Sequence, residues 1–129
     1  MTRQHYLGID WSQERHDICV KNETGEIVVE KSIAHSLKGF EEIEGLRQAL
    51  KLSPGELIIG IETANSLLID WLWERSYEQI YVIPPSTVDK SRKRFHSSGA
   101  KDDKVDAREC CDLVRKERSR LLPCLLYTS

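Results

Sequence analysis

Leu57-Ile58-Ile59-Gly60-Ile61-Glu62 is a continuous apolar run that stops on a carboxylate. With no polar alternation inside it, such a run predicts a strand buried on both faces, as in a sheet covered by helices on either side. Tyr6-Leu7-Gly8-Ile9-Asp10 has the same design: an apolar run that ends on an acid. Two such strands with helical sequence between them predict an α/β sheet with acidic residues at the carboxyl ends of its strands.

The elements around these runs fill in the order. Arg15 to Val20 alternates through His-Asp-Ile-Cys-Val, and Glu26 to Ala34 reads as a third strand. The links are Trp11-Ser12-Gln13-Glu14 and Asn22-Glu23-Thr24-Gly25, the latter with Asn and Gly where a hairpin needs positive φ. Three strands joined this way make an antiparallel meander. Ser36 can cap a helix whose apolar face is Phe40, Ile43, Leu46 and Leu50, ended by Ser53-Pro54-Gly55. Leu67, Leu68, Trp71 and Leu72 mark a second helix, with Trp71 on its core face and Trp73 partly exposed. Gln79 to Ile83 is another buried strand, halted by Pro84-Pro85. Ser86 can cap a third helix, and after Ser97-Ser98-Gly99 a fourth starts near Asp102, its N-cap, with Val105, Leu113 and Val114 apolar. The order is βββ-α-β-α-β-α-α: a mixed sheet with helices on both faces and right-handed crossovers between parallel neighbours. This is the ribonuclease-H-like order.

The chain's 129 residues, 40% hydrophobic and 31% charged, suit one domain with its own core. No run of about 18 apolar residues is present, so a membrane partner is not expected. The N-terminus lacks the apolar region of an export signal, which makes the cytoplasm the expected location and reduced thiols the default for Cys19, Cys110, Cys111 and Cys124. His5, His16, His35 and His96 have no zinc-ligand spacing. The net charge of −2 conceals a division: residues 1–85 carry −6 and residues 86–129 carry +4. The basic excess centres on Lys90, Arg92, Lys93 and Arg94, followed by Lys101 and Lys104, a pattern suited to nucleic-acid phosphates. A solvated helix face would look the same. Phe95 beside them is either a base-stacking ring or a core residue, and Trp11 reads as a packing residue.

Asp10 and Glu62 fall at strand ends, and Asp103 and Asp106 share one face of a helix. Functional groups in open α/β sheets collect outside the carboxyl ends of the strands. A convergence of these four carboxylates would repel itself unless a hard cation such as Mg²⁺ neutralised it. Two ions held this way serve phosphodiester chemistry, one on the attacking and one on the leaving oxygen. Singly, each position has a plain alternative: a turn cap for Asp10, a helix-dipole contact for Glu62 and a solvated first turn for Asp103 and Asp106.

Gly8-Ile9-Asp10-Trp11-Ser12, Gly60-Ile61-Glu62-Thr63, Val82-Ile83-Pro84-Pro85 and Ser98-Gly99-Ala100-Lys101-Asp102-Asp103-Lys104-Val105-Asp106-Ala107 follow in order. This sequence resembles the N-terminal RuvC-like domain of the DEDD transposases, the insertion sequence one-hundred-ten family, which includes site-specific DNA invertases. The resemblance runs from Tyr6 to about Leu122 and is most specific in the segment 98–107. It implies that Asp10, Glu62, Asp103 and Asp106 are catalytic ligands of Mg²⁺ or Mn²⁺, two ions in all, for DNA strand cleavage and exchange. It also implies DNA and a guide RNA as partners, a homo-oligomer in the full-length form, and a separate C-terminal domain carrying a catalytic serine. The stretch Ala64-Asn65-Ser66 departs from the glycine-containing turn of many members.

Three alternatives stand beside this reading. A Holliday-junction resolvase would use similar carboxylates. An actin-like ATPase or sugar kinase also opens on Gly-Ile-Asp but wants glycine in the turn that follows, where this chain has Trp11-Ser12-Gln13-Glu14. A non-catalytic nucleic-acid-binding module is the fourth class. The end of the chain, Cys124 to Ser129, back-translates as TGT CTC TTA TAC ACA TCT, which resembles a transposon adaptor sequence. The expected organisation is therefore a RuvC-like domain over residues 1–122 and a non-native or disordered tail over 123–129. With the C-terminal serine domain absent, this fragment is expected to be inactive alone.

Overall fold

The computed structural model describes residues 4–11, 15–62, 66–83, 103–117 and 121–123. Its elements run β1 (His5–Asp10), β2 (Arg15–Lys21), β3 (Ile27–Ala34), α1 (Leu37–Ala49), β4 (Leu57–Glu62), α2 (Ser66–Glu74), β5 (Ile80–Ile83), α3 (Asp103–Lys116) and β6 (Leu122–Pro123), with a short 3₁₀ turn at Pro54–Glu56 before β4. The six strands stand in the order β3-β2-β1-β4-β5-β6. β1, β2 and β3 form the expected antiparallel meander. β4 and β5 add in parallel through the helical crossovers α1 and α2, and β6 closes the edge antiparallel to β5. The mixed ribonuclease-H-like sheet read from the sequence is the one observed.

Local signals act largely as read. The Ser36 hydroxyl accepts from the Gly39 N–H at 3.1 Å and starts α1. The β2–β3 turn differs in its means. Only Gly25 has positive φ (+90°), while the Asn22 side chain accepts from the backbone N–H groups of Thr24 and Glu26. Asn22 therefore builds an Asx turn rather than occupying the left-handed region. In α2, Leu68, Ile69, Trp71 and Leu72 are buried but Leu67 is exposed, because the helix turns its apolar stripe one position further along. The β6 pairing had no signal in the sequence.

Helices cover both faces. α1 and α2 enclose the larger core with Leu7, Ile9, Ile59 and Ile61 from the central strands and Phe40, Ile43, Leu68 and Leu72 from the helices. Each such fully buried side chain contributes roughly 1.5–3 kcal/mol. α3 lies on the opposite face over Tyr6, Cys19, Ile58 and Ile83, presenting Ala107, Cys110, Cys111, Leu113 and Val114. Of these, the apolar pattern of the sequence marks only Leu113 and Val114. Ion pairs fasten this helix, with Lys21 Nζ 2.7 Å from Asp112 and the Arg108 guanidinium donating twice to Glu30, at 2.5 and 2.9 Å. Cys19, Cys110 and Cys111 are free and buried. No helix among the described residues is long and apolar enough to cross a membrane. The Ser86-capped basic helix, the 97–99 link, the Asp102 cap and residues 124–129 lie outside the described residues.

Candidate metal centre

The two acids that end the central strands stand side by side. β1 and β4 pair in parallel from His5↔Leu57 to Asp10↔Glu62, so both carboxylates leave the sheet on the same face at its carboxyl edge. That is the face α3 covers. The helix approaches closely because two glycines lie beneath it. A Cβ on Gly8 would collide with the Ala107 carbonyl oxygen and the Cys111 backbone nitrogen, and one on Gly60 would meet Val114 Cγ1 and the Cys110 carbonyl. With helix and sheet in contact at Gly8, Asp106, one residue before Ala107, reaches the strand ends.

The result is a three-carboxylate site. Ligand oxygens of Asp10, Glu62 and Asp106 all lie within 4.8 Å of one another, and all three side chains are half-buried. Burial pushes the Asp10 carboxyl up to about 8, helped by its hydrogen bond with Glu62 and by the charges of Glu62, Asp106 and Asp17. Glu62 Oε2 is itself a buried oxygen. Below them, burial and then the charges of Glu62, Asp10 and Asp106 raise the Cys110 thiol well above the usual range, against a backbone hydrogen bond from Glu62 that lowers it. An all-oxygen donor set, with one member that retains its proton when no cation is present, fits a hard divalent cation.

The structure therefore brings Asp10, Glu62 and Asp106 together. Asp103 opens α3 three residues before Asp106, hence on the same helical face, but its side chain lies outside the described residues. So do Lys90, Arg92, Lys93, Arg94 and Lys101, and the side chain of Lys104. One acid escaped the sequence reading. Asp17 on β2 is in register with Asp10 and adds its charge to the site. The alternation Asp17, Cys19, Lys21 along β2 was its only signal, because the link before β2 leaves the register open.

A second group of rings sits on the reverse face of the same strand ends. Trp11 stacks on His16 with centroids 3.6 Å apart and planes 16° from parallel, and it meets His35 edge-on at 4.8 Å. His16 is fully buried, and its Nε2 lies 3.1 Å from His35 Nδ1. Burial, then the charge of His35, lowers the His16 imidazole to about 4.

Fold and site define a RuvC-type domain of the ribonuclease-H-like class. The solved structure of Thermus thermophilus RuvC in complex with a Holliday junction superposes with a TM-score of 0.55 at 10% identity, covering 94% of this chain and 99% of that one. Residues 7–125 match the transposase family of DEDD enzymes from IS110 elements. The chain belongs to that family. The protein named as transposase y4uE in Sinorhizobium fredii is 28% identical over 117 residues, which is 89% of this chain and 32% of that protein. The protein named as the mini-circle transposase for IS117 in Streptomyces coelicolor is 26% identical over 113 residues, 87% of this chain and 27% of its own length. The chain thus spans between about a quarter and a third of the length of these relatives.

Proposed function

We propose that this domain is the metal-dependent catalytic part of a DNA transposase and that Asp10, Glu62 and Asp106, joined by Asp103, hold two Mg²⁺ or Mn²⁺ ions. The observation that carries the reading is the convergence of three carboxylates from β1, β4 and α3 within 4.8 Å. When bound, such ions supply Lewis-acid stabilisation of the attacking and leaving oxygens of a phosphodiester. The chain's own residues provide the anionic cradle and fix its geometry. Asp10 and Glu62 are held by a rigid parallel ladder and Asp106 by a helix seated on glycine. With a cation bound, Asp10 would serve as an ionised ligand beside Glu62 and Asp106.

Lys90, Arg92, Lys93, Arg94, Lys101 and Lys104 are assigned to DNA or guide-RNA phosphates, where lysine and arginine supply affinity and position rather than sequence choice. Guide-RNA use, homo-oligomerisation and a location in the prokaryotic cytoplasm belong to the same reading of the full-length protein. The family match favours transposition over junction resolution, which rests on the shared fold alone.

Calorimetric titration of the chain with Mg²⁺ or Mn²⁺ tests the site. Wild type is expected to bind, with Asp10→Asn and Glu62→Gln each losing most of the affinity. Binding that survives both substitutions would remove the assignment. Affinity for DNA should fall with salt and fall again on replacing Arg92, Lys93 and Arg94 by alanine.

A further inference from the structure

We infer that Trp11, by stacking on His16, is a positioning residue for the metal centre: it fixes the strand end that carries Asp10. The inference rests on the metal reading above and adds a part that the carboxylates themselves do not supply. Successive residues of a strand point to opposite faces, so the Asp10 carboxylate and the Trp11 ring leave one short stretch of backbone in opposite directions. Asp10 is also the last residue of β1. β4 ends level with it at Glu62, whereas β2 runs on past its partner Asp17 to His16 and Arg15, so the backbone just beyond Asp10 has no ladder of its own but lies beside His16.

Trp11 supplies a restraint there. Its ring lies flat on His16, one residue before Asp17, the register partner of Asp10. The stack thus joins the end of β1 to the start of β2 on the reverse face, directly behind the two acids. It is anchored in depth. His16 is buried and shares a hydrogen-bonding contact with His35, which follows β3. Both imidazoles pack against Phe40 of α1, with centroids 6.5 Å from His16 and 5.7 Å from His35. Four rings from four successive parts of the chain therefore meet behind one carboxylate. A flat ring performs this task in a way an aliphatic side chain of similar bulk cannot, because stacked contact fixes orientation as well as distance.

The test is Mn²⁺ titration of the 129-residue chain by calorimetry, below the melting temperature of each variant. Trp11→Leu retains bulk without the ring and is expected to weaken Mn²⁺ binding about tenfold, the usual loss when a supporting residue behind a ligand is removed. Trp11→Phe should recover affinity to within about twofold of wild type, since it restores a stacking face. A merely structural ring would lower the melting temperature in Trp11→Leu and leave the Mn²⁺ affinity of the folded protein unchanged. Equal affinities for wild type and Trp11→Leu overturn this inference alone. No Mn²⁺ binding by wild type overturns the metal reading and this inference with it. If Trp11→Leu does not fold, Trp11→Phe and Trp11→Met decide the matter by the same comparison of affinities.

Discussion

The face of the sheet under α1 and α2 is apolar along nearly its whole length, whereas the face under α3 changes character from one strand end to the other. On the first face, Leu7, Ile9, Ile59 and Ile61 meet Phe40, Ile43 and Leu72, with the His16 imidazole and the Tyr77 hydroxyl among the few polar groups buried there. On the second, β1 begins with Tyr6, passes through Gly8 and finishes at Asp10, while β4 runs Ile58, Gly60, Glu62 beside it. Apolar contact holds one end of α3, bare backbone lets its middle settle close, and the far end meets carboxylates. The first face supplies folding energy. The second spends some of that stability on like charges held together, which is the usual sign of a site built for a cation.

Two substitutions, one on each face, should separate these roles most sharply. Leu72→Ala empties part of the first core and is expected to cost about 2–5 kcal/mol in denaturant unfolding, with the Mn²⁺ affinity of the folded protein unchanged. Gly8→Val forces a side chain into the α3 backbone and should cost about 3 kcal/mol or more. It should also abolish Mn²⁺ binding, because Asp106 moves away with the helix. Gly8→Val with normal metal affinity would show that the close approach of α3 does not build the site.

The next effect is a pH dependence of the metal-free protein, measured with a chelator present. The Asp10 carboxyl is raised from 3.8 to about 8. Its contribution to stability is complete below the unfolded value and disappears as pH rises through 8. His16 runs the other way: lowered from 6.5 to about 4, it contributes above 6.5, and that contribution is lost as pH falls through 4. Between pH 6.5 and 8 the His16 contribution is constant. Stability is therefore expected to decline across that interval, and Asp10→Asn should flatten the decline. A wild-type profile that is level or rising there would contradict the burial and crowding of Asp10.

Arg108→Ala should produce the smallest change. The guanidinium joins α3 to Glu30 through two hydrogen bonds, but it is 38% exposed. A loss of about 0.5–1 kcal/mol is expected in denaturant unfolding, typical of a solvent-screened pair. A larger loss accompanied by weaker Mn²⁺ binding would mean that this pair, as well as the glycines, sets the position of Asp106.

Much of this arrangement was legible in the chain. Hydrophobic periodicity and stop signals gave the meander, the buried strand Leu57–Glu62 and the Ser36-capped helix, because those depend on local conformation and on burial of neighbouring side chains. The acids Asp10 and Glu62 could be read as a pair because each closes an apolar run. Asp17 could not. It joins them through the register of two strands whose connecting link does not reveal its geometry. The Trp11–His16–His35 stack was equally hidden, since an aromatic residue and two histidines become a unit only when separate elements meet.

The sequence by itself determined the element order, the strand-end carboxylates and the membership motifs, since these rest on residue type and spacing along one chain. The tertiary structure alone decided how close α3 approaches, that Asp106 meets Asp10 and Glu62, and that rings lie behind them. Each of those facts depends on the absence of a Cβ at Gly8 and Gly60 or on the register between strands, and both act across distances in sequence that no local pattern records.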